Sequence, residues 1–143
     1  MMQTFRTEGS YRSADHLSPA ELRAAMASRE ILQSTALAFD TRRQLRFELG
    51  GTKAVMPFAL CAEGAETGSV RDIAVLTRVG RPTCFVIEGL DTDETGQPVY
   101  RLSRAEAQRM CHTEYLDTLR PGDILPCAVT HIEPFGAFCD VGC

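Results

Sequence analysis

The feature that most constrains the fold of this chain is an alternation of apolar and polar residues close to its C-terminus. A Pro-Gly-Asp turn opens the stretch at Pro121, apolar residues alternate up to Val129, and Pro134 and Gly136 then interrupt the run. Beyond the interruption, residues 137–141 alternate again. A period of two indicates strands, so the pattern predicts two strands joined by a tight connection. Phe138 would then lie on the polar face of the second strand, with Phe135 beside it at the turn.

These residues carry a family resemblance. Pro121-Gly122-Asp123, the strand at Val129, Phe135-Gly136-Ala137-Phe138 and Val141-Gly142 resemble the opening of the S-one RNA-binding motif, the OB-fold module named after small-subunit ribosomal protein one. The resemblance implies that Phe135 and Phe138 stack on single-stranded bases, a contact that does not depend on base sequence. The alternative is that both rings pack against a neighbouring segment. Residues 120–143 would be the start of a second RNA-binding module that is incomplete here.

Length and composition set broad limits. The chain has 143 residues, of which 44% are hydrophobic and 24% charged, as in soluble globular proteins. No apolar run is long enough for a membrane span, and the first residues lack the apolar core of a signal peptide. The expected location is cytoplasmic, with no membrane partner.

The charge is unevenly distributed. The net charge is -4, which argues against a protein that binds duplex DNA through a basic surface. Residues 42–81 nevertheless contain seven basic and four acidic side chains, whereas residues 82–143 contain four basic and ten acidic ones. A locally basic face on an acidic protein fits a weak single-strand binder or a docking module.

The six cysteines show no CxxC pair. Cys84, Cys127 and Cys139 occupy apolar positions of strand patterns, which favours reduced thiols that fill the core. A metal site formed by Cys111, His112 and Cys139 or Cys143 matches no familiar zinc spacing, so neither a metal nor a cofactor is expected.

The N-terminal part, residues 1–28, is predicted to be a flexible tail followed by a short helix. Residues 1–17 have no periodicity. Ser18-Pro19-Ala20-Glu21 then supplies an N-cap, a proline in the first turn and a glutamate that completes a capping box. This helix should end near Ala27.

From Glu30 the period changes to two, and a turn at residues 40–43 leads to a second alternating run, Leu45, Phe47 and Leu49. A shift of 92 positions places the apolar residues of 124–142 on those of 32–50, with Val141 on Leu49 and Gly142 on Gly50, which predicts an internal repeat. In this alignment Arg43 and Arg46 take the positions of Phe135 and Phe138. Arginine can stack on a base and pair with phosphate, but it suits a protein contact equally well, and both residues can also be solvated edge charges.

Residues 29–103 complete a predicted module. Thr52–Pro57, which includes Lys53, resembles the third strand of the family; a fourth strand is predicted from Ile73, a fifth around Cys84, and a last one over 99–103 that resembles the strand closing the family's barrel. The predicted fold is mainly β, a small divergent five-stranded OB-type (S-one-like) barrel. Its expected interior is Leu45, Phe47, Leu49, Val55, Val75, Val86 and Leu102. A second capping box at Ser103 predicts a linker helix over residues 104–119.

No catalytic constellation is present, and His16, His112 and His131 have no shared spacing, so an enzyme is not expected. The resemblance implies an RNA-binding, translation-associated protein like small-subunit ribosomal protein one, a ribonucleoprotein component whose partners are single-stranded RNA (mRNA) and the small ribosomal subunit. The candidate RNA-binding residues are Phe135, Phe138, His131, Arg43, Arg46 and Lys53. The alternatives are a protein-docking adaptor whose first barrel binds a protein of the ribosome or RNA machinery, and an accessory module of an RNA nuclease or polymerase. The sequence does not indicate an oligomeric state.

Overall fold

The computed structural model describes residues 5–125 and 127–140 and is mainly β, as predicted. Within those residues the chain forms nine strands: β1 Arg12–Ser13, β2 Leu32–Thr35, β3 Ala38–Phe39, β4 Gln44–Leu49, β5 Thr52–Pro57, β6 Pro82–Thr92, β7 Pro98–Ser103, β8 Ala128–Glu133 and β9 Gly136–Asp140. The α-helices described are α1 Pro19–Ser28, α2 Asp72–Leu76 and α3 Arg104–Glu114, with short 3₁₀ turns at Phe58–Leu60, Ala65–Thr67 and Leu116–Thr118.

Seven strands form one curled sheet in the order β1-β2-β6-β7-β5-β4-β3. The β1–β2 and β5–β7 pairs are parallel, and the other neighbours are antiparallel. β2 and β3 are consecutive pieces of one stretch, yet β2 pairs with β6 while β3 pairs with β4. The sheet has seven strands where a five-stranded barrel was predicted: the run from Ile73 contributes no strand, the N-terminal segment adds β1, and the 32–39 stretch is divided in two.

Alternation in β4 builds the centre of the core. Leu45, Phe47 and Leu49 are buried, as predicted, and the ring of Phe47 meets that of Phe85 edge to face with centroids 5.8 Å apart. Leu102 is buried in the same cluster. The period-two pattern therefore gave the correct inward face of this strand.

Two of the predicted interior residues lie elsewhere. Val55 is only half-buried, because it pairs with the outward-facing Arg46 and its neighbours Ala54 and Met56 fill the core instead. Val86 is buried, but it packs in a second cluster with Ala107 and Met110 of α3, on the opposite side of the sheet from Phe47. Both faces of β6 are therefore covered. A strand that is buried on both faces has apolar residues at successive positions, so its sequence does not show which side chains face the main core.

Both predicted helix starts are confirmed. At α1, Ser18 Oγ accepts a hydrogen bond from the Glu21 N–H, and the Glu21 carboxylate accepts one from the Ser18 N–H. At α3, Ser103 Oγ accepts a hydrogen bond from the Glu106 N–H. These local contacts satisfy amide groups that a helix leaves unpaired at its first turn.

The predicted fourth strand is wrong, because Asp72–Leu76 forms the short helix α2. Val75 is buried in the main core, as expected, whereas Ile73 and Leu76 point outward. A short apolar run of this kind fits a helix as well as a strand.

The prediction of a loose tail is wrong for residues 5–17. The Glu8 carboxylate lies in a mostly buried position between the guanidinium groups of Arg104 and Arg78, at 2.9 and 3.0 Å, and also accepts a hydrogen bond from the Cys84 N–H. The Phe5 ring stacks on that of Tyr115 with centroids 6.1 Å apart. These contacts hold the segment against β6 and α3. They do not produce a periodic sequence pattern, so the sequence did not predict them.

β8 and β9 form a separate two-stranded antiparallel sheet with a register shift between Val129 and His131. The predicted hairpin is therefore confirmed, and Phe135 and Phe138 are exposed as expected. Val141, Gly142 and Cys143, which entered the repeat alignment and the metal hypothesis, lie outside the described residues. The module boundary at residue 120 stays a prediction.

The prediction of reduced cysteines is wrong for Cys111, which is disulfide-bonded, and the free thiols divide into two groups. Cys61 and Cys84 are buried, as expected for core residues. Cys127 and Cys139 are exposed, so their assignment to the core is wrong. They lie in and beside the separate β8–β9 sheet, which does not bury them. Of the helices described, none has the length and apolar character that crossing a lipid bilayer requires.

Candidate nucleic-acid interface

The outer face of β4 and β5 carries charged side chains. Because Leu45 and Phe47 face the core, Arg46 between them faces outward. It is paired in register with Val55, and Glu48 is paired with Lys53. Arg46 and Lys53, two of the candidate RNA-binding residues, therefore lie on the same face of the sheet.

A groove crosses this face between two hairpin loops. It encloses about 320 Å³ and is bounded by the 40–43 turn on one side and the 93–97 loop on the other. Its lining residues are Asp40, Thr41, Arg42, Gln44, Arg46, Lys53, Val55, Asp93, Glu94 and Thr95. We refer to this feature as the loop groove.

Hydrogen bonds inside each loop fix the walls of the loop groove. Asp93 Oδ1 accepts bonds from the Thr95 hydroxyl and N–H and from the Gln97 N–H, at 2.7, 2.9 and 3.0 Å. The bonds from the Thr95 hydroxyl and the Gln97 N–H hold the pKa of Asp93 well below its usual range. Across the groove, the Asp40 carboxylate accepts bonds from the Arg42 N–H and the Gln44 amide.

Two ion pairs connect the walls. Arg42 Nη2 lies 2.6 Å from Glu94 Oε1, and Lys53 Nζ lies 3.3 Å from Asp93 Oδ2. The Arg42–Glu94 pair is solvent-exposed and the Lys53–Asp93 pair is partly exposed, so each contributes little to stability and weakens with salt. They nevertheless neutralise two of the three cations in the groove. Within residues 5–125 and 127–140, Arg46 is the groove cation without an ion-pair partner.

Arg43 is held outside the loop groove by contacts within the protein. Its guanidinium carbon lies 4.1 Å from the centroid of the Phe58 ring, and Nη2 lies 2.6 Å from Asp72 Oδ1. The backbone of Arg43 is left-handed, with φ of 56°, because the residue closes the turn from Asp40. Arg43 and Arg46 are both candidate RNA-binding residues, but only Arg46 lines the loop groove.

The second candidate surface is the tip of the β8–β9 hairpin. Phe135 is 81% exposed and Phe138 is 51% exposed, and their rings meet edge to face with centroids 6.2 Å apart. We call this pair the aromatic tip. His131 is paired with Phe138 in the strand register, but its side chain lies outside the part of the structure that is described.

Comparison with known proteins gives no family assignment. No protein-family model matches the chain, and a search of curated proteins finds no match. The candidate surfaces are therefore assessed on their own geometry.

Sequence reasoning missed part of the loop groove. In the sequence, Asp93 and Glu94 lie in a polar segment that is typical of a solvated hairpin loop, and Arg42 lies in an ordinary turn. The pairing of Arg42 with Glu94 spans 52 positions, so no local pattern predicts it. Among the described residues, no cluster of three or more His, Cys, Asp or Glu side chains is arranged to hold a metal ion.

Proposed function

We propose that this chain binds single-stranded RNA weakly and without sequence preference, as an S-one-type protein that acts in translation. The observation that carries the proposal is the aromatic tip, where two phenylalanine rings stand in solvent on a two-stranded hairpin. Exposed aromatic rings offer faces on which bases can stack, and stacking on one ring contributes about 1–3 kcal/mol per base.

The position of the loop groove supports an OB-type layout. If β2 and β3 are counted as one strand, the sheet without β1 contains five strands, and the edges at β6 and β4 are both occupied by that strand. The loop groove lies over the second and third of these strands and between two hairpin loops. OB-fold modules bind oligonucleotides at this place.

The charges of the loop groove support weak binding. Arg42, Arg46 and Lys53 face Asp40, Asp93 and Glu94, so the groove has three cations and three anions. Of the three cations, Arg46 is the one without an ion-pair partner in the described part of the chain, so we expect few phosphate contacts and a shallow dependence of affinity on salt.

The test is a fluorescence anisotropy titration of the full chain with a short labelled single-stranded RNA at two salt concentrations. Replacing both Phe135 and Phe138 with Ala should weaken binding by roughly 1–3 kcal/mol and leave the salt dependence unchanged. Ile124→Ala is the control, because Ile124 is an exposed apolar residue that precedes the hairpin and is not aromatic. Equal affinities of the double variant and the wild type would overturn the proposal.

A second candidate function is protein docking. It is favoured by Arg43, which is engaged with Phe58 and Asp72, and by the balanced charge of the loop groove. A docking module predicts no RNA binding even at low salt, so the same titration separates the two functions.

A further inference from the structure

A third exposed surface lies around α2. Ile73 and Leu76 are 61% and 48% exposed, whereas Val75 between them is buried. Residues three apart on a helix lie on the same face, so Ile73 and Leu76 form one apolar strip that points away from the core. The strip has no counterpart in either candidate RNA surface.

One further apolar side chain extends the strip. Val79 is 36% exposed, and its N–H donates to the carbonyl of Leu76. A β-bridge pairs Val79 with Ala36. We call the surface formed by Ile73, Leu76 and Val79 the α2 patch.

The backbone under the α2 patch is held in place. The Gly80 N–H donates to the Ala36 carbonyl at 2.8 Å, and the Ala36 N–H donates to the Arg81 carbonyl at 3.3 Å. The Arg78 side chain is anchored by its ion pair with Glu8 and by a hydrogen bond to the Pro82 carbonyl. The patch is therefore formed before any partner arrives, which lowers the entropic cost of binding.

Two exposed arginines flank the α2 patch. Arg71 and Arg81 are exposed, and neither has an ion-pair partner among the described residues. Between Glu66 and Glu88 the sequence has a single acidic residue, Asp72, whose carboxylate is already paired with Arg43. An apolar strip bordered by unpaired arginines complements a segment with an apolar face and acidic flanks.

We propose that the α2 patch is the docking site for an acidic amphipathic helix of a partner protein. Leu and Ile side chains of that helix, spaced by three and four residues, cover Ile73, Leu76 and Val79, and its carboxylates pair with Arg71 and Arg81. This proposal gives the docking function a surface and a partner class, and it is independent of the aromatic tip.

The experiment uses the ¹⁵N-labelled full chain and three synthetic helical peptides. All three peptides have the same Leu face, and their polar positions are Glu, Gln or Lys. The Glu peptide should shift the amide resonances of the α2 patch and bind roughly tenfold more tightly than the Gln peptide, with an advantage that shrinks as salt is added. The Lys peptide should not bind.

Two variants test the assignment. Ile73→Asp with Leu76→Asp should abolish binding, and because both side chains are exposed the spectrum should otherwise keep its dispersion. Arg71→Glu with Arg81→Glu should reverse the preference toward the Lys peptide. Equal binding of the Glu and Gln peptides, or no shift at the patch with any peptide, would overturn the proposal.

Competing occupants have distinct outcomes. If single-stranded RNA shifts the same amides, or if sedimentation shows a dimer of the chain that Ile73→Asp with Leu76→Asp dissolves, the patch belongs to RNA or to a second copy. Either result overturns the assignment to an acidic helix. A failed RNA titration leaves it intact, because the peptide readout does not involve RNA.

Discussion

The Glu8 carboxylate accepts two 2.9 Å hydrogen bonds from the Arg104 guanidinium, which lies 96 positions later in the chain. Arg78 adds a third cation contact to the same carboxylate. This mostly buried cluster joins the N-terminal segment to the first turn of α3 and to the loop after α2.

Glu8→Gln should destabilise the fold by about 3–5 kcal/mol, because it leaves two guanidinium groups in a mostly buried site without their counter-charge. Urea unfolding followed by circular dichroism measures the effect. Glu94→Gln is the matched control; it breaks an exposed ion pair, so it should cost at most about 1 kcal/mol. Equal effects of the two variants would show that the Glu8 cluster does not hold the segment.

The same cluster predicts a loss of stability in acid. Burial acts to raise the pKa of Glu8, but the hydrogen bond and charge of Arg104, with the charge of Arg78, outweigh it and lower the pKa below the ordinary value of 4.5. The stabilisation is therefore complete above pH 4.5 and declines as the pH falls through the lower pKa of the folded state. The stability difference between the wild type and Glu8→Gln should shrink over this range. A difference that stays constant down to strongly acidic pH would contradict the assignment.

Phe47→Ala should cost roughly 3–5 kcal/mol, because it removes a fully buried ring and its edge-to-face contact with Phe85. Phe138→Ala removes a half-exposed ring from the hairpin and serves as the matched aromatic control. Thermal unfolding should separate the two variants clearly. A small effect of Phe47→Ala would mean that the core of the sheet can rearrange around the gap.

The thiols should react in two classes. Burial raises the pKa of the Cys61 thiol to about 11, and burial raises that of Cys84 further, so neither should be alkylated by iodoacetamide in the native protein at pH 8. The exposed Cys127 and Cys139 should react first. A hydrogen bond with Cys127 raises the pKa of Cys139, so Cys127→Ser should accelerate alkylation of Cys139. Cleavage before aspartate yields residues 123–139 as one peptide, in which mass spectrometry measures the labelling of both Cys127 and Cys139. Rapid labelling of Cys61 in the native protein would contradict its burial in the core.

The salt dependence of RNA binding should respond to the loop groove. Arg46→Ala should lower the salt slope, because Arg46 is the groove cation without a described ion-pair partner. Glu94→Gln should raise the slope by about 1, since it frees Arg42 for a phosphate. Opposite changes in these two variants would locate RNA in the groove, and unchanged slopes in both would exclude it.

Local patterns predicted the parts of the fold that depend on local contacts. Ser18 and Ser103 were identified as helix caps from the residue three positions later, and Leu45 and Phe47 were assigned to the core from a period of two. The orientation of the strand around Cys84 was predicted wrongly, with Val86 on the inner face, because that strand is buried on both faces. Glu8 pairs with Arg104 and Arg42 pairs with Glu94 only because the fold brings together residues that are far apart in the sequence. No local sequence pattern contains both members of either pair.

The division of residues 32–39 between two strands also determines the order in which the sheet can form during synthesis. β3 can pair with β4 as soon as the next hairpin has been made, whereas β2 must wait for β6, where Leu32 pairs with Phe85. Pairings between distant residues form slowly, and chains fold from the N-terminus as they are made. Until β6 emerges, the side of β2 that pairs with β6 is an open strand edge on the nascent chain, and an open edge can pair with a neighbouring nascent chain.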